Sequence, residues 1–179
     1  VSEGDLWKVG VKGGEAIRLT THLGEESQPL ISPDGKSVAF AAQYEGPTEV
    51  YTMPIEGGLP TRRTFDGATC LPISWVSNDV LMYSTRRYST LPSTQLAKLT
   101  LSTGARALVP LAQACDGVYA GEGGPLVFTR IPFQGSATKR YVGGRVQSLW
   151  RFDEAKSGPS PEAVHLTADY PGTSTSPMW

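Results

Sequence analysis

Basic side chains gather at three places in the chain where they could bind an anion. The three groups are Arg62 with Arg63, Arg86 with Arg87, and Lys139, Arg140 and Tyr141 with Arg145. A guanidinium group can donate two parallel hydrogen bonds to a carboxylate, for example the C-terminus of a peptide. Solvated strand ends and internal ion pairs also use arginine, so the residues alone leave a structural role open. Arg86, Arg87 and the group at 139–145 are the candidate contacts for a peptide or a protein partner.

Catalytic groups of the usual kinds are scarce. The sequence has no nucleophile elbow, metalloprotease, P-loop or dinucleotide-binding motif. Its two histidines, His22 and His165, are expected in a turn and in an outer strand. Asp34 and Asp66 lie in turn-like sequences, where an aspartate usually bonds to nearby backbone groups. We therefore predict no catalytic residue, no metal site and no cofactor in these 179 residues.

Charge and cysteine content narrow the classes of partner and compartment. A net charge of −1 and a pI of about 6.2 predict no general attraction to nucleic acid or to an anionic membrane. No apolar run approaches the roughly 18 residues that a membrane-spanning helix needs. Cys70 and Cys115 are too few for a disulfide framework and are expected to pack as small side chains. A cytoplasmic location is favoured, with a periplasmic one as the alternative.

The elements that must position these groups are predicted to be short β-strands. Ser32-Pro33-Asp34-Gly35 has the composition of a tight turn, with apolar residues on both sides. The turn joins a strand at 29–31 to a strand at 37–42 that is expected to be buried on both faces. The segment 48–53 alternates polar and apolar residues, which predicts a half-buried strand. A short, polar fourth strand at 60–65 would suit a sheet edge.

This four-strand pattern repeats along the chain. Three landmarks recur 44 residues apart: Leu6-Trp7 as Val50-Tyr51, Gly13-Gly14 as Gly57-Gly58, and Thr20 as Thr64. Weaker and clearer copies follow at 96–109 and at 148–167. Repeats of this length with four strands each are typical of a β-propeller, in which every blade packs on its neighbours.

The fold class is therefore predicted as all-β, with about three and a half four-stranded antiparallel blades. The predicted divisions are outer strands of a first blade at 1–22, blades at 23–66, 67–111 and 112–169, and the first strand of a further blade at 170–179. Because propellers close into rings of four to eight blades, we interpret the chain as part of a longer product. Isolated, it is expected to self-associate through open strand edges.

Two other features are informative. The stretch 131–145 is much longer than the other connections at that position, and long loops often carry function. Trp7, Trp75 and Trp150 occupy corresponding places in predicted strands, so they are expected to be blade-core residues and not a ligand platform.

The repeats resemble the PD40-type repeats of the TolB and tricorn propellers. The stretches that resemble these repeats include "LWKV", "GGEAIRLT" and "LISPDGKSVAF". A narrower match, "FTRIPFQGSATKRYVGGRVQSLWRF" followed by "HLTADYPGTSTSPMW", resembles the N-terminal, six-bladed propeller of tricorn-type serine proteases. The Ser-Pro-Asp-Gly repeat is weakly specific, whereas the "FQGS" to "LW" stretch is more specific.

The resemblance implies a non-catalytic propeller in a cytoplasmic peptidase that degrades short peptides. In that family the propellers act as filters and channels, while a PDZ-like module and a catalytic region follow, and the protein assembles into homo-hexamers. No catalytic residue of the family maps onto this chain. Some members supply a basic pair from this propeller to hold the peptide's C-terminal carboxylate. The loop after Arg62-Arg63-Thr64-Phe65 reads "DGATCLP" and contains no arginine, so no residue is matched to that pair.

Two other functions are the alternatives to a tricorn-type propeller. A TolB-like propeller would be a periplasmic scaffold for protein partners. A glycan-binding or glycan-cleaving propeller would need paired carboxylates beside stacking aromatic side chains, and the sequence contains no such pair. The tricorn-type interpretation is the one we adopt.

Overall fold

A computed structural model describes residues 1–121, 123–132, 143–144, 146–156 and 162–179. The described residues form fourteen β-strands and one short 3₁₀ helix, Glu154–Lys156, with no α-helix among them. The strands make one two-stranded sheet and three four-stranded sheets, all antiparallel. This confirms the predicted fold class. No helix in this part of the chain has the length and apolar character needed to cross a membrane.

Each sheet is one blade, and its strands follow the chain from the innermost to the outermost. The first blade contains β1 (Trp7–Lys8) and β2 (Ile17–Arg18), and the second contains β3 (Glu26–Ile31), β4 (Ser37–Ala42), β5 (Glu49–Pro54) and β6 (Thr61–Arg62). The third contains β7 (Cys70–Trp75), β8 (Val80–Thr85), β9 (Gln95–Thr100) and β10 (Arg106–Leu108). The fourth contains β11 (Asp116–Tyr119), β12 (Leu126–Thr129), β13 (Leu149–Phe152) and β14 (Val164–His165).

Residues 171–179 form no β ladder in the structure, although the sequence predicts a strand there. A strand is defined by pairing with a neighbour, and no described segment pairs with this one along its length. The assignment of 170–179 to a further blade therefore stays a prediction.

The turn between β3 and β4 is the predicted tight turn. The Ser32 hydroxyl donates to Asp34 Oδ1 at 2.7 Å, and the Lys36 N–H donates to the same oxygen at 3.1 Å. Gly35 takes a φ of 70°, the left-handed conformation that glycine adopts without strain. The Asp34 N–H donates to the Asn78 side chain at 3.0 Å, so this turn is also tied to the corresponding turn of the third blade.

The core lies between blades and not within them. One cluster joins Ala39 and Val50 of the second blade to Leu81 and Tyr83 of the third. Met82, the residue between those two, faces the opposite way and packs in the cluster shared with the fourth blade. The period of two along a strand thus sends alternate side chains to two different interfaces.

The prediction of a half-buried strand at 48–53 is wrong. In β5 the side chains from Glu49 to Met53 are all buried. Val50 packs toward the third blade, whereas Tyr51 and Met53 pack toward Leu6 of the first blade. The polar residues Glu49 and Thr52 of this strand do not face water. They are buried and hydrogen-bonded to neighbouring side chains. The strand at 37–42, predicted to be buried on both faces, is confirmed as β4.

The tryptophans differ from one another. Trp75 and Trp150 pack against blade interfaces, and Trp75 Nε1 donates to the Leu30 carbonyl of the neighbouring blade at 3.0 Å. Trp7 is 39% exposed, so the prediction of a core position is wrong for this residue. Trp7 belongs to the first sheet, which has only two strands among the described residues.

Candidate functional site

The innermost strands β3, β7 and β11 are the end strands of their sheets, so each presents one edge to the interior of the blade array. Two of these edges are irregular. The pairing of β3 shifts between Ser27 and Leu30, and that of β7 shifts between Pro72 and Ser74. Each shift includes a proline, Pro29 or Pro72. Proline lacks an N–H and is tolerated in sheets mainly at edges and bulges.

A shared backbone conformation marks this inner edge. Gln28 has a φ of 51° and Ser176 a φ of 52°, and each of them precedes a proline. A left-handed conformation is uncommon for a residue other than glycine, and such residues cluster at ligand sites. Both residues line the same cavity.

That cavity, called here the inner cavity, has a volume of about 710 Å³. Its wall includes Gln28 and Leu30 from β3 and Leu71 and Ile73 from β7. Polar and charged side chains are added by Arg86, Thr94, Asp116, Gln147 and Ser176. The volume falls within the roughly 300–1,000 Å³ range of sites that hold small ligands, which suits a short peptide.

Arg86 is the only arginine among the described residues that line the inner cavity. It follows the last residue of β8, the second strand of the third blade, and this strand fixes the position of its backbone. Its side chain is exposed and makes no ion pair or hydrogen bond to any residue in the described ranges. An arginine without an internal partner can bind a carboxylate with its full fork of N–H groups.

The other candidate contacts are placed differently. Arg87 is exposed but does not line the inner cavity. Lys139, Arg140, Tyr141 and Arg145 lie outside the described residues, as does most of the predicted long loop at 131–145. The structure therefore places one member of the candidate set on the cavity wall.

Arg62 and Arg63 are used within the fold. Arg62 forms an ion pair with the buried Glu49 at 3.1 Å and a second one with Glu45 at 3.2 Å. Its Nε also donates to the Thr64 carbonyl at 2.9 Å. Arg63 Nε donates to the Thr52 hydroxyl at 2.7 Å. These two arginines hold β5 and β6 together, and we do not assign them to a ligand.

The Glu49 carboxylate is the centre of this network. It accepts a hydrogen bond from the Thr64 hydroxyl and one from the Gly67 N–H at 3.0 Å. Burial acts to raise the pKa of Glu49, but the bonds from Thr64, Gly67 and Arg62 outweigh it and lower the pKa below its usual value. The carboxylate is therefore a structural anion that stays ionised.

Asp66 was expected to shape a turn, and the structure gives it a larger role. It is buried, pairs with Arg106 at 2.9 Å and accepts a hydrogen bond from the Tyr83 hydroxyl at 3.3 Å. Because Asp66 follows the second blade while Tyr83 and Arg106 belong to the third, this group ties two blades together. The His22 ring packs against the Tyr44 ring, and the His165 ring stacks on the Trp150 ring.

The cysteines are not reactive centres. Cys70 and Cys115 are both free thiols, and burial raises the pKa of each. A thiol with a raised pKa is a poor nucleophile at neutral pH. No group of three or more metal-ligating side chains is found in the described ranges.

Two polar residues of the inner cavity were not identified from the sequence. Gln147 lies two residues after the predicted long loop at 131–145, and Asp116 is the first residue of β11. A sequence signal for this wall does exist, because "QPLIS", "LPISW" and "TSPMW" share a proline at the inner-strand position. That signal locates the edge but not the loop residues that reach it.

Comparison with known proteins gives a consistent result along the whole chain. The sequence profile of the family described as the tricorn protease N-terminal β-propeller domain matches residues 1–179. Tricorn protease homolog 1 of Streptomyces coelicolor is 30% identical over 182 residues, which cover 99% of this chain and 16% of that protein. The chain thus spans about a sixth of the length of this curated relative.

Solved structures agree on the fold. The crystal structure of the tricorn protease matches 83% of this chain and 15% of its own, with a TM-score of 0.70 and 22% identity. TolB from Acinetobacter baumannii matches 90% of this chain and 37% of its own, with a TM-score of 0.68 and 17% identity. At these identities the two structures support the propeller architecture alone.

Proposed function

The chain belongs to the tricorn protease N-terminal β-propeller domain family, and on that premise we propose that it forms part of the peptide channel of a cytoplasmic, tricorn-like serine peptidase. In this role the segment filters and guides short peptides and carries out no bond chemistry itself. Its partners are the peptides, the rest of the propeller, the PDZ and catalytic domains of the parent protein, and further copies in a homo-oligomer.

The observation that supports this most is the unpaired Arg86 on the wall of the inner cavity. The inner edges around it are interrupted by bulges and prolines, so they cannot offer a peptide a continuous ladder of backbone hydrogen bonds. A peptide in the cavity would therefore be held mainly through its charged groups. Arg86 provides the site for its C-terminal carboxylate.

Arg87, Lys139, Arg140, Tyr141 and Arg145 remain part of the proposal as further contacts for peptides or partners. Arg87 lies next to Arg86 but away from the cavity wall, so its contribution is expected to be smaller. The two free cysteines, Cys70 buried and Cys115 partly buried, are consistent with a reducing compartment.

The test is peptide binding by the intact protein, measured by calorimetry with a free tetra-alanine peptide and its C-terminal amide. We expect amidation to weaken binding about tenfold, the usual scale for loss of one charge-assisted contact. Arg86→Gln should weaken binding of the free acid by a similar factor and leave the amide unchanged. Arg87→Gln removes the same charge one residue away from the cavity wall and should weaken binding by a smaller factor.

Equal binding of the acid and the amide by the wild-type protein would overturn the carboxylate site. A second assay separates the peptidase from a TolB-like scaffold, whose fold is equally similar. Hydrolysis of short fluorogenic peptides by the intact protein supports the peptidase. If no such peptide is cleaved and protein partners bind instead, the scaffold function replaces it.

A further inference from the structure

The inner cavity also contains an unused hydrogen-bond acceptor, the side-chain oxygen of Gln147. This residue is 2% exposed and lines the cavity. Its Nε2 donates to the Ile131 carbonyl at 2.8 Å, which fixes which end of the amide is nitrogen. Its Oε1 is buried and has no hydrogen-bond partner among the described residues. A buried acceptor without a donor is costly, and such groups in native proteins call for an explanation.

A carboxylate lies on the same wall. Burial raises the pKa of the Asp116 carboxyl group, although the backbone N–H groups of Gly117 and Ser176 act to lower it. No ion pair joins this group to a lysine or arginine in the described part of the chain. Its negative charge is thus only partly compensated by the fold.

Both residues lie beside one short stretch of backbone, residues 174–176. The Ser174 N–H donates to the main-chain carbonyl of Gln147 at 2.9 Å, and the backbone of Ser176 acts to lower the pKa of the Asp116 carboxyl group. One residue, Thr175, therefore separates the two anchor points along the chain, and Gln147, Asp116 and Thr175 all line the inner cavity. On the other side of Asp116, Gly117 is buried where an added Cβ would lie 3.0 Å from Phe128 Cβ. Close contact between β11 and β12 thus leaves no room for a side chain at the position next to Asp116.

An acceptor pair of this kind suits a donor that carries positive charge. A primary ammonium group has three N–H donors and one charge, so it can bond to an amide oxygen and a carboxylate at once. A divalent cation fits less well, because Ca²⁺ requires six to eight oxygen ligands and Mg²⁺ an octahedron of them. The described residues contain no cluster of that size.

We propose that Asp116 and Gln147 form an ammonium subsite in the inner cavity that binds the free α-amino group of a short peptide. The inference rests on the proposed function, because it assumes that peptides enter this cavity. Together with Arg86 it makes the cavity bipolar, with a cationic group for one end of a peptide and acceptors for the other. A zwitterionic peptide of a few residues is the substrate class that satisfies both.

The experiment compares tetra-alanine with its N-acetyl derivative on the intact protein, again by calorimetry, with peptide integrity checked by mass spectrometry. We expect acetylation to weaken wild-type binding about tenfold, the scale of one charge-assisted contact. In Asp116→Asn the acetylated and free peptides should bind with similar affinity, because the protein has lost the carboxylate that attracts the ammonium group of the free peptide. Asp169→Asn is the matched control, since Asp169 is exposed and lies outside the cavity.

The ligand-side comparison needs no variant, so it decides the matter even if Asp116→Asn fails to fold. Equal wild-type binding of the free and acetylated peptides would overturn the subsite. If amidation of the C-terminus still weakens binding in that case, the channel function stands and only the subsite fails. If neither modification changes binding, both proposals fail together.

A second ligand distinguishes two sources of the ammonium group. N-acetyl-Ala-Lys-Ala-Ala carries its amine on a side chain. Recovery of binding by this peptide, lost again in Asp116→Asn, supports an ammonium subsite but contradicts the assignment to the peptide N-terminus. No recovery, combined with strong binding of the free tetra-alanine, supports the N-terminal assignment.

Discussion

The chain contains two Arg-Arg pairs, one in the second blade and one in the third, and the structure uses them in opposite ways. Arg62 and Arg63 are bonded to Glu49, Glu45 and Thr52. Arg86 and Arg87 make no side-chain bond to any described residue. The sequence gives the two pairs the same appearance. What separates a structural arginine from one available to a ligand is therefore the presence of a buried acid beside it.

The buried acid of the second blade, Glu49, has no counterpart at the corresponding position of the third blade. In the second blade Glu49, Arg62 and Thr64 form one network around the start of β5 and the end of β6. The backbone pairing aligns Val50 with Leu96, so the corresponding residues of the third blade are Gln95, Leu108 and Pro110. Gln95 Oε1 has no hydrogen-bond partner among the residues that the structure describes. The third blade instead uses Arg106, paired with Asp66 from the preceding connection.

The largest expected effect is the loss of Arg62. Arg62→Met should leave the Glu49 carboxylate buried without its cation and lower the free energy of unfolding by about 3 kcal/mol. Arg86→Met, the matched change in the other pair, should alter it by less than about 0.5 kcal/mol. Denaturant unfolding followed by tryptophan fluorescence measures both. Equal losses in the two variants would contradict the distinction between the pairs.

Thr64 provides the next test of the same network. Its hydroxyl accepts from the Val50 N–H at 2.8 Å and donates to Glu49. Thr64→Val should lower the free energy of unfolding by about 1–3 kcal/mol, because it leaves a buried donor and a buried acceptor unpaired. Thr61→Val, at an exposed position of β6, is the control and should change it little. A larger loss at Thr61 would show that strand preference matters more than the network.

Acid pH should lower the free energy of unfolding by protonating Glu49 in the second blade. Because the pKa of Glu49 is lowered by folding, its ionised form stabilises the native state above the unfolded pKa of about 4.3. That contribution is lost as pH falls through the lower, folded pKa. The stability difference between the wild-type protein and Glu49→Gln should therefore be largest at neutral pH and shrink below about pH 4. A difference that stays constant down to pH 2 would rule out this role.

The smallest effect is expected at Asp116, and it has the opposite sign. Burial raises the pKa of this group, so its contribution to stability is present at low pH and is lost as pH rises through the folded pKa. Asp116→Asn should therefore be slightly more stable than the wild-type protein at neutral pH and no more stable in acid. Thermal denaturation at two pH values tests this. Destabilisation of Asp116→Asn at neutral pH would mean that the carboxylate is structural.

Much of the fold could be predicted from the sequence, because turn residues recur at regular intervals in propeller repeats. The Ser-Pro-Asp-Gly turn and the 44-residue recurrence depend on local geometry that a few residue types provide. The burial of β5 could not be predicted. Its polar residues Glu49 and Thr52 bond to Arg62, Thr64 and Arg63, and such partners are visible only when the strands are paired.

The site was predictable only in part. The sequence identifies Arg86 as one of several basic candidates, but only the assembled blades show that it lines a cavity and has no internal partner. Asp116 lies in β11 and Gln147 precedes β13, and both line the inner cavity beside residues 174–176. Single-sequence patterns describe neighbours within a strand, so they do not report a meeting of this kind.

The prolines and bulges of β3 and β7 have a kinetic consequence. A peptide bound along a regular strand edge would be held by many backbone bonds and would dissociate slowly. The interrupted inner edges deny it that ladder, so the residence time of a peptide would depend on its two ends and hardly on the side chains between them. Peptides of very different sequence would then leave at similar rates, and no single one would block the passage for the others.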